Sequence, residues 1–269
     1  MTGREVERKP SAMTDTRPDA MARHMWDARR AREKFANLPE PLKPASIAEA
    51  YRAQEVYYRL AEPVYGPVAG VKVATTTKVM QELMGIAHPC GGAIFARTIH
   101  SSPARIRKSD FINLRVESEI ALELGSDMPL GAPWTAERVV PFVAGAMPAY
   151  ELIEDRNAVY TETQAVSMIV ENCWNGGVVI GAPKPVSASD IVGVTGHQTL
   201  NGKPIGSGRS EDPFATLAWL ANLLAERGRP LTAGMVVITG SLIPTFSIVP
   251  GDRAVFTVEG LGEAVLEIG

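Results

Sequence analysis

The stretch Arg115-Val116-Glu117-Ser118-Glu119-Ile120-Ala121-Leu122-Glu123-Leu124 puts two carboxylates two residues apart in a segment whose apolar residues otherwise suit a buried strand. Residues i and i+2 of a strand point to the same face, so Glu117 and Glu119 stand side by side while Val116, Ser118 and Ile120 take the other face. Adjacent anions repel, and half-buried ones also lose hydration; a divalent cation relieves both costs. Oxygen donors of this kind suit magnesium, manganese or calcium better than zinc. A solvent-facing strand carries the same pattern without any ion, so the pair alone leaves both readings open. A third acid weighs against the solvated strand: Glu151 interrupts the apolar run Met147-Pro148-Ala149-Tyr150-Glu151-Leu152-Ile153. Three carboxylates leave positions on an octahedral ion for substrate and water.

The chain around these acids is ordinary. It has 269 residues, 45% hydrophobic and 21% charged, with a net charge of −3, enough to bury a sizeable core. Nothing in that balance points to a nucleic-acid surface or a cationic membrane patch. No run approaches the roughly 18 apolar residues of a membrane span, and the first forty residues lack an apolar signal core, so a cytoplasmic protein is expected. Cys90 and Cys173 are far apart and suggest neither a disulfide scaffold nor a zinc knuckle; buried, inert thiols are expected.

Residues 1–40 read as an N-terminal tail, polar to about residue 18, followed by a helix from Asp19 to about Ala36 with a basic, solvated face; residues 41–269 read as one catalytic body. Ser46-Ile47-Ala48-Glu49 has the form of a capping box, and Ala50, Ala53, Tyr57 and Leu60 then repeat on one helical face. After Gly66-Pro67 the chain turns to short β-like runs: 68–74, 114–124, 139–153, 177–181, 235–242, 254–258 and 264–268. The last two form a hairpin around Gly260-Leu261-Gly262. Asp212-Pro213 opens a helix with Leu217, Leu220, Ala221 and Leu224 as its stripe and Gly228 as its stop.

The order of these pieces resembles the fumarylacetoacetate hydrolase superfamily, in particular its branch of 2-keto-4-pentenoate hydratases and 4-oxalocrotonate decarboxylases. The Glu-x-Glu pair and the later Pro-Ala-Tyr-Glu run match that family's metal ligands, which the resemblance places on Glu117, Glu119 and Glu151. Gly70-Val71-Lys72-Val73-Ala74-Thr75-Thr76-Thr77 resembles its lysine segment. Thr239-Gly240-Ser241-Leu242 and Pro250-Gly251-Asp252 resemble its carboxylate-holding turn and the turn after it. Glu171-Asn172 stands where many members have Asp-Asn, and Gly206-Ser207-Gly208 matches as well. The resemblance implies a mixed α/β fold, a rolled β-sheet body of the fumarylacetoacetase C-terminal type with N-terminal helices packed outside, and a homo-oligomer.

For chemistry it implies a Mg2+- or Mn2+-dependent hydratase of aromatic-compound catabolism, converting a 2-hydroxy-2,4-dienoate, through its 2-oxo-3-enoate, to a 4-hydroxy-2-oxo acid. Lys72 and Glu171 are then the catalytic candidates, with Lys72, Asn172 and Ser241 on the 2-oxo acid substrate. The lysine's pKa is expected to fall beside a metal in a dry pocket. The chain departs from the pattern at Cys90, where hydratases of this branch carry an Asp, at Glu171 for Asp, at Ala74 for Gly, and in the shortened loop at 209–213. A thiol does not replace a carboxylate as proton relay at neutral pH. Two alternatives stay open: a 4-oxalocrotonate-type decarboxylase or other C–C-cleaving enzyme, and a non-catalytic partner in a hydratase–decarboxylase complex. His88, His100 and His197 are isolated and read as surface or core histidines.

Overall fold

In a computed structural model, residues 16–131 and 133–269 are described; the expected tail, up to residue 15, lies outside them. Helix α1 (Arg17–Arg30) begins at Thr16, whose hydroxyl caps it in a box with Asp19. It ends earlier than the composition predicts. Arg32 turns left-handed and the Phe35 amide then donates to the Arg156 carbonyl at 2.9 Å, which carries Phe35 into the core. Its expected solvated character holds on one side only, because Met21, Ala22, Met25 and Trp26 are buried against α2 (Ile47–Tyr65). Ser46 caps α2 as expected, but Glu49 reaches instead to the Ala45 amide and to Arg17, so the box is only half formed.

The body follows: β1 (Val68–Ala74), α3 (Lys78–Met84), β2 (Cys90–Phe95), β3 (Ile99–Ser101), β4 (Ala104–Ile106), β5 (Leu114–Leu124), α4 (Ala136–Val139), β6 (Val143–Glu154), α5 (Ala165–Val170), β7 (Asn175–Ile180), α6 (Ala188–Ile191), β8 (Thr195–Leu200), β9 (Lys203–Arg209), α7 (Pro213–Glu226), β10 (Val236–Ser247), β11 (Arg253–Val258) and β12 (Gly262–Ile268). The strand expected from residue 139 starts later, since Pro141 has no amide for a ladder and residues 136–142 coil into short helical turns. β8 and β9, absent from the sequence reading, are a hairpin turned by Asn201-Gly202, both with positive φ.

Two mixed sheets result. The larger runs β2-β1-β10-β5-β6-β7-β3 and the smaller β4-β12-β11-β8-β9. Val116, Tyr150 and Leu152 of the larger sheet share one apolar core with Ala254, Phe256 and Leu266 of the smaller and with Leu217, Leu220 and Leu224 of α7. A polar stitch crosses the same layer: Gln198 Oε1 accepts from Ser118 Oγ at 2.8 Å and from the Tyr150 hydroxyl at 3.0 Å. The N-terminal helices, with β2 and residues 165–174, build a second core outside the sheet. No helix among the described residues is long and apolar enough to cross a membrane.

Close approach between the sheets rests on Gly208, where an added Cβ would lie 1.8 Å from the Leu242 carbonyl oxygen. Gly208→Ala should therefore cost about 1–3 kcal/mol through forced backbone movement. Gly131→Ala, with no atom within 4 Å of its added Cβ, should stay within about 0.5 kcal/mol of the parent. Urea unfolding of the two variants checks the contrast.

Candidate active site

β5 and β6 pair antiparallel with Glu117 directly opposite Glu151 and Glu119 opposite Ala149. The alternation that sends Ser118 and Tyr150 to the inter-sheet layer sends all three acids to the other face. One carboxylate oxygen from each lies within 4.8 Å of the other two. Glu119 and Glu151 are fully buried and Glu117 partly so.

Each acid is held by a different neighbour. The Glu119 Oε2 accepts from the Gly240 amide at 2.6 Å, an approach made where Gly240 takes a φ of 107° and the β10 register breaks. The Glu151 Oε1 accepts from Asn175 Nδ2 at 3.0 Å and pairs with Lys72 Nζ at 2.7 Å. Thr245 Oγ1 donates to Glu117. That leaves Glu119 Oε1 and Glu151 Oε2 buried with no hydrogen-bond partner. Burial, and then the Glu151 and Glu117 charges, push the Glu119 carboxyl well above its usual range; burial also raises Glu151, against the pull of Lys72. Orphaned acceptors on two of three clustered carboxylates, in an all-oxygen donor set, fit a hard divalent cation.

Without a metal, Lys72 sits among uncompensated carboxylates. Burial opposes its charge, but the carboxylates of Glu151 and Glu117 outweigh that cost and hold it above the ordinary lysine range, as an ammonium. Its Nζ also donates to the Cys173 carbonyl at 3.3 Å. Lys72 and Glu117 line a cavity of about 510 Å³, with Glu119 and Glu151 buried beside them. Thr75, Thr76, Thr77 and Ser241 give it hydroxyls, and Met80, Met84, Ile153, Met168 and Trp174 an apolar wall. Lys72 is the one lysine or arginine lining it among the described residues. The Ser241 hydroxyl donates to the Ile243 carbonyl at 2.6 Å.

Two candidates fall elsewhere. Glu171 is fully buried and accepts two bonds from Arg156, at 2.7 Å from Nε and 2.6 Å from Nη2, with Arg29 Nη1 at 3.5 Å. Asn172 bonds both backbone groups of Ala93, at 2.6 and 2.9 Å. Neither lines the cavity; in this structure both anchor the segment behind it. What they anchor is strained: Asn172, Cys173 and Trp174 all have positive φ, at 60°, 50° and 59°. Each left-handed non-glycine residue costs on the order of 1–2 kcal/mol. The ion pair, the Ala93 bonds and the edge-to-face contact of Trp174 with Phe35 at 5.2 Å hold this turn and present the Cys173 carbonyl to Lys72.

Cys90, where the resemblance expects an acid, is buried on β2 opposite Ala74 and outside the cavity wall. Cys173 is in the wall, its Sγ 3.4 Å from the Gly91 carbonyl. Neither forms a disulfide. His88, His100 and His197 do not line the cavity. Asn175 and Thr245 were not legible beforehand: Thr245 follows Ser241 and Ile243 at strand spacing, whereas nothing local marks Asn175 as a partner of Glu151.

No protein-family profile matches the chain. It is 27% identical over 256 residues to the 2-hydroxyhexa-2,4-dienoate hydratase of Comamonas testosteroni, covering 93% of this chain and 96% of that protein. It is 29% identical to 2-keto-4-pentenoate hydratase 1 of Dechloromonas aromatica, over 85% of this chain and 88% of the relative. Its fold matches that of 4-oxalocrotonate decarboxylase from Pseudomonas putida G7, solved with magnesium and adipate, at a TM-score of 0.87, 22% identity and coverage of 96% and 99%.

Removing one side of the buried Arg156–Glu171 pair leaves an uncompensated charge, so Glu171→Ala should lower unfolding free energy by about 3–5 kcal/mol. The double variant R156M/E171M should recover most of that loss. A double-mutant cycle by denaturant unfolding reads it.

Proposed function

We propose that this chain, which belongs to the fumarylacetoacetate hydrolase superfamily in its branch of 2-keto-4-pentenoate hydratases and 4-oxalocrotonate decarboxylases, is a divalent-metal-dependent hydratase of a 2-hydroxy-2,4-dienoate. The observation that carries this reading is the pair of orphaned carboxylate oxygens on Glu119 and Glu151, beside Glu117 and Lys72 at the end of a substrate-sized cavity. Glu117, Glu119 and Glu151 would hold Mg2+ or Mn2+, and the ion, when bound, supplies Lewis-acid stabilisation of negative charge on the substrate's 2-oxygen.

The remaining chemistry belongs to the protein. Lys72, kept cationic by Glu151, offsets the substrate's negative charge and is the proton carrier for the ketonisation that delivers a proton to carbon 5. The resulting 2-oxo-3-enoate is electron-poor at carbon 4, where water adds. In this reading the hydroxyls of Thr75, Thr76 and Thr77, which line the cavity, orient that water, and Ser241, cross-strand from Glu119, faces the substrate carboxylate. Met80, Met84, Ile153 and Met168 exclude solvent from the substrate tail.

The tail end of the cavity favours hydration over decarboxylation of a dicarboxylate. A distal carboxylate there would be desolvated, and among the described residues the walls carry no cation besides Lys72 to pair with it. Orphaned acceptors also weigh against a purely structural subunit, since such a partner gains nothing from their cost. Residues 41–269 as the catalytic body, homo-oligomeric assembly, association with a related decarboxylase and a cytoplasmic location remain parts of this proposal.

Turnover of 2-hydroxypenta-2,4-dienoate with Mg2+ or Mn2+, followed by dienol absorbance and NMR, should give 4-hydroxy-2-oxopentanoate and stop with chelator. Lys72→Met should lower kcat by about 10²–10⁴-fold, the usual worth of a positioned proton carrier. Metal binding with turnover of 2-oxohex-3-enedioate alone would overturn hydration in favour of the decarboxylase.

A further inference from the structure

A second cavity, of about 630 Å³, lies between α1, β3–β4 and the 172–176 segment. Seven arginines line it against two carboxylates, Asp110 and Glu154, with Glu171 behind. For a chain whose net charge is −3 this is a strong local excess of positive charge. A concave, low-dielectric wall focuses such a field on whatever enters.

The arginines fall into two layers. At the floor, Arg156 is committed to Glu171, but Arg29 is only partly so: its Nη2 donates to the Asn175 carbonyl at 3.0 Å, while its buried Nη1 lies 3.5 Å from Glu171 Oε1 and makes no hydrogen bond. Its side chain is 12% exposed. At the rim, among the described residues, Arg32 and Arg97 bond only backbone carbonyls. Arg30 and Arg105 are exposed, and among the described residues neither has a carboxylate partner; Arg30 lies over the Trp26 ring at 5.8 Å. A buried donor without a hydrogen bond, in a cavity lined by seven guanidinium groups, is suited to oxygen acceptors, since guanidinium bonds carboxylate and phosphate through paired N–H groups.

The geometry points to a binding site, separate from the carboxylate triad, for a small oxyanion of two or more negative charges, a phosphate or a polycarboxylate. The ligand seats one oxygen on Arg29 Nη1 and is held at the rim by Arg30 and Arg105. Its occupancy is independent of the metal reading above.

The test is calorimetric titration of the magnesium-loaded full chain with inorganic phosphate and, separately, with propane-1,2,3-tricarboxylate. Saturable one-site binding in either arm is expected, and the stronger arm identifies the source. R30A/R105A should weaken binding at least tenfold with an unchanged circular dichroism spectrum, whereas Arg209→Ala, outside the cavity, should leave it unchanged. Equal affinity in the wild type and R30A/R105A, or no binding in either arm, overturns the proposal. So does dissociation of an oligomer in R30A/R105A without any anion binding to the wild type, which would make the rim a contact between copies of the chain.

Discussion

Three carboxylates with oxygens inside 4.8 Å, two of them cut off from water, repel one another wherever they are placed. The architecture around them limits that repulsion without removing it. Lys72 faces Glu151, the Gly240 amide faces Glu119, Thr245 faces Glu117, and one oxygen on each buried acid is left bare. Everything that supplies those contacts must be placed accurately. The break in β10, the parallel pairing of β1 with β10 and the left-handed turn behind Lys72 all answer to the same few ångströms.

The opposite face of the same two strands fixes the position. Ser118 and Tyr150, opposite each other in the β5–β6 ladder, meet on Gln198 of the smaller sheet. A slip of one residue would turn the acids into the inter-sheet core and the stitch toward the cavity. The register is thus specified twice, by apolar packing with its polar stitch on one face and by charge on the other.

Strand periodicity made Glu117 and Glu119 legible as a pair, because the relation between i and i+2 is local. Glu151 stood out as an acid in an apolar run, and the ladder explains its place: it is the cross-strand neighbour of Glu117. Short and glycine-rich strands escaped notice. β2 contains Gly91-Gly92, where β propensity is poor, and the Asn201-Gly202 turn was an overlooked hairpin signal with little apolar alternation beside it. The partners of Glu171 and Asn172 were not legible. That Arg156 and Ala93 occupy them depends on contacts 15 and 79 residues apart, which no local pattern encodes. The 2.7 Å pairing of Lys72 with Glu151 escaped the sequence for the same reason.

The left-handed turn at 172–174 has two sides. Cys173 and Trp174 line the cavity of the acids, while Asn172 lines the arginine cavity, where Asn175 follows. One short piece of backbone therefore serves as a party wall between two chambers. Genetic variation in it is pleiotropic by construction: a residue chosen to reshape one chamber moves the boundary of the other, and β-branched residues are disfavoured in its conformation from the start. Drift in substrate preference along this lineage is then expected to proceed through the free-standing walls, such as the α3 methionines, and to leave the shared wall nearly still.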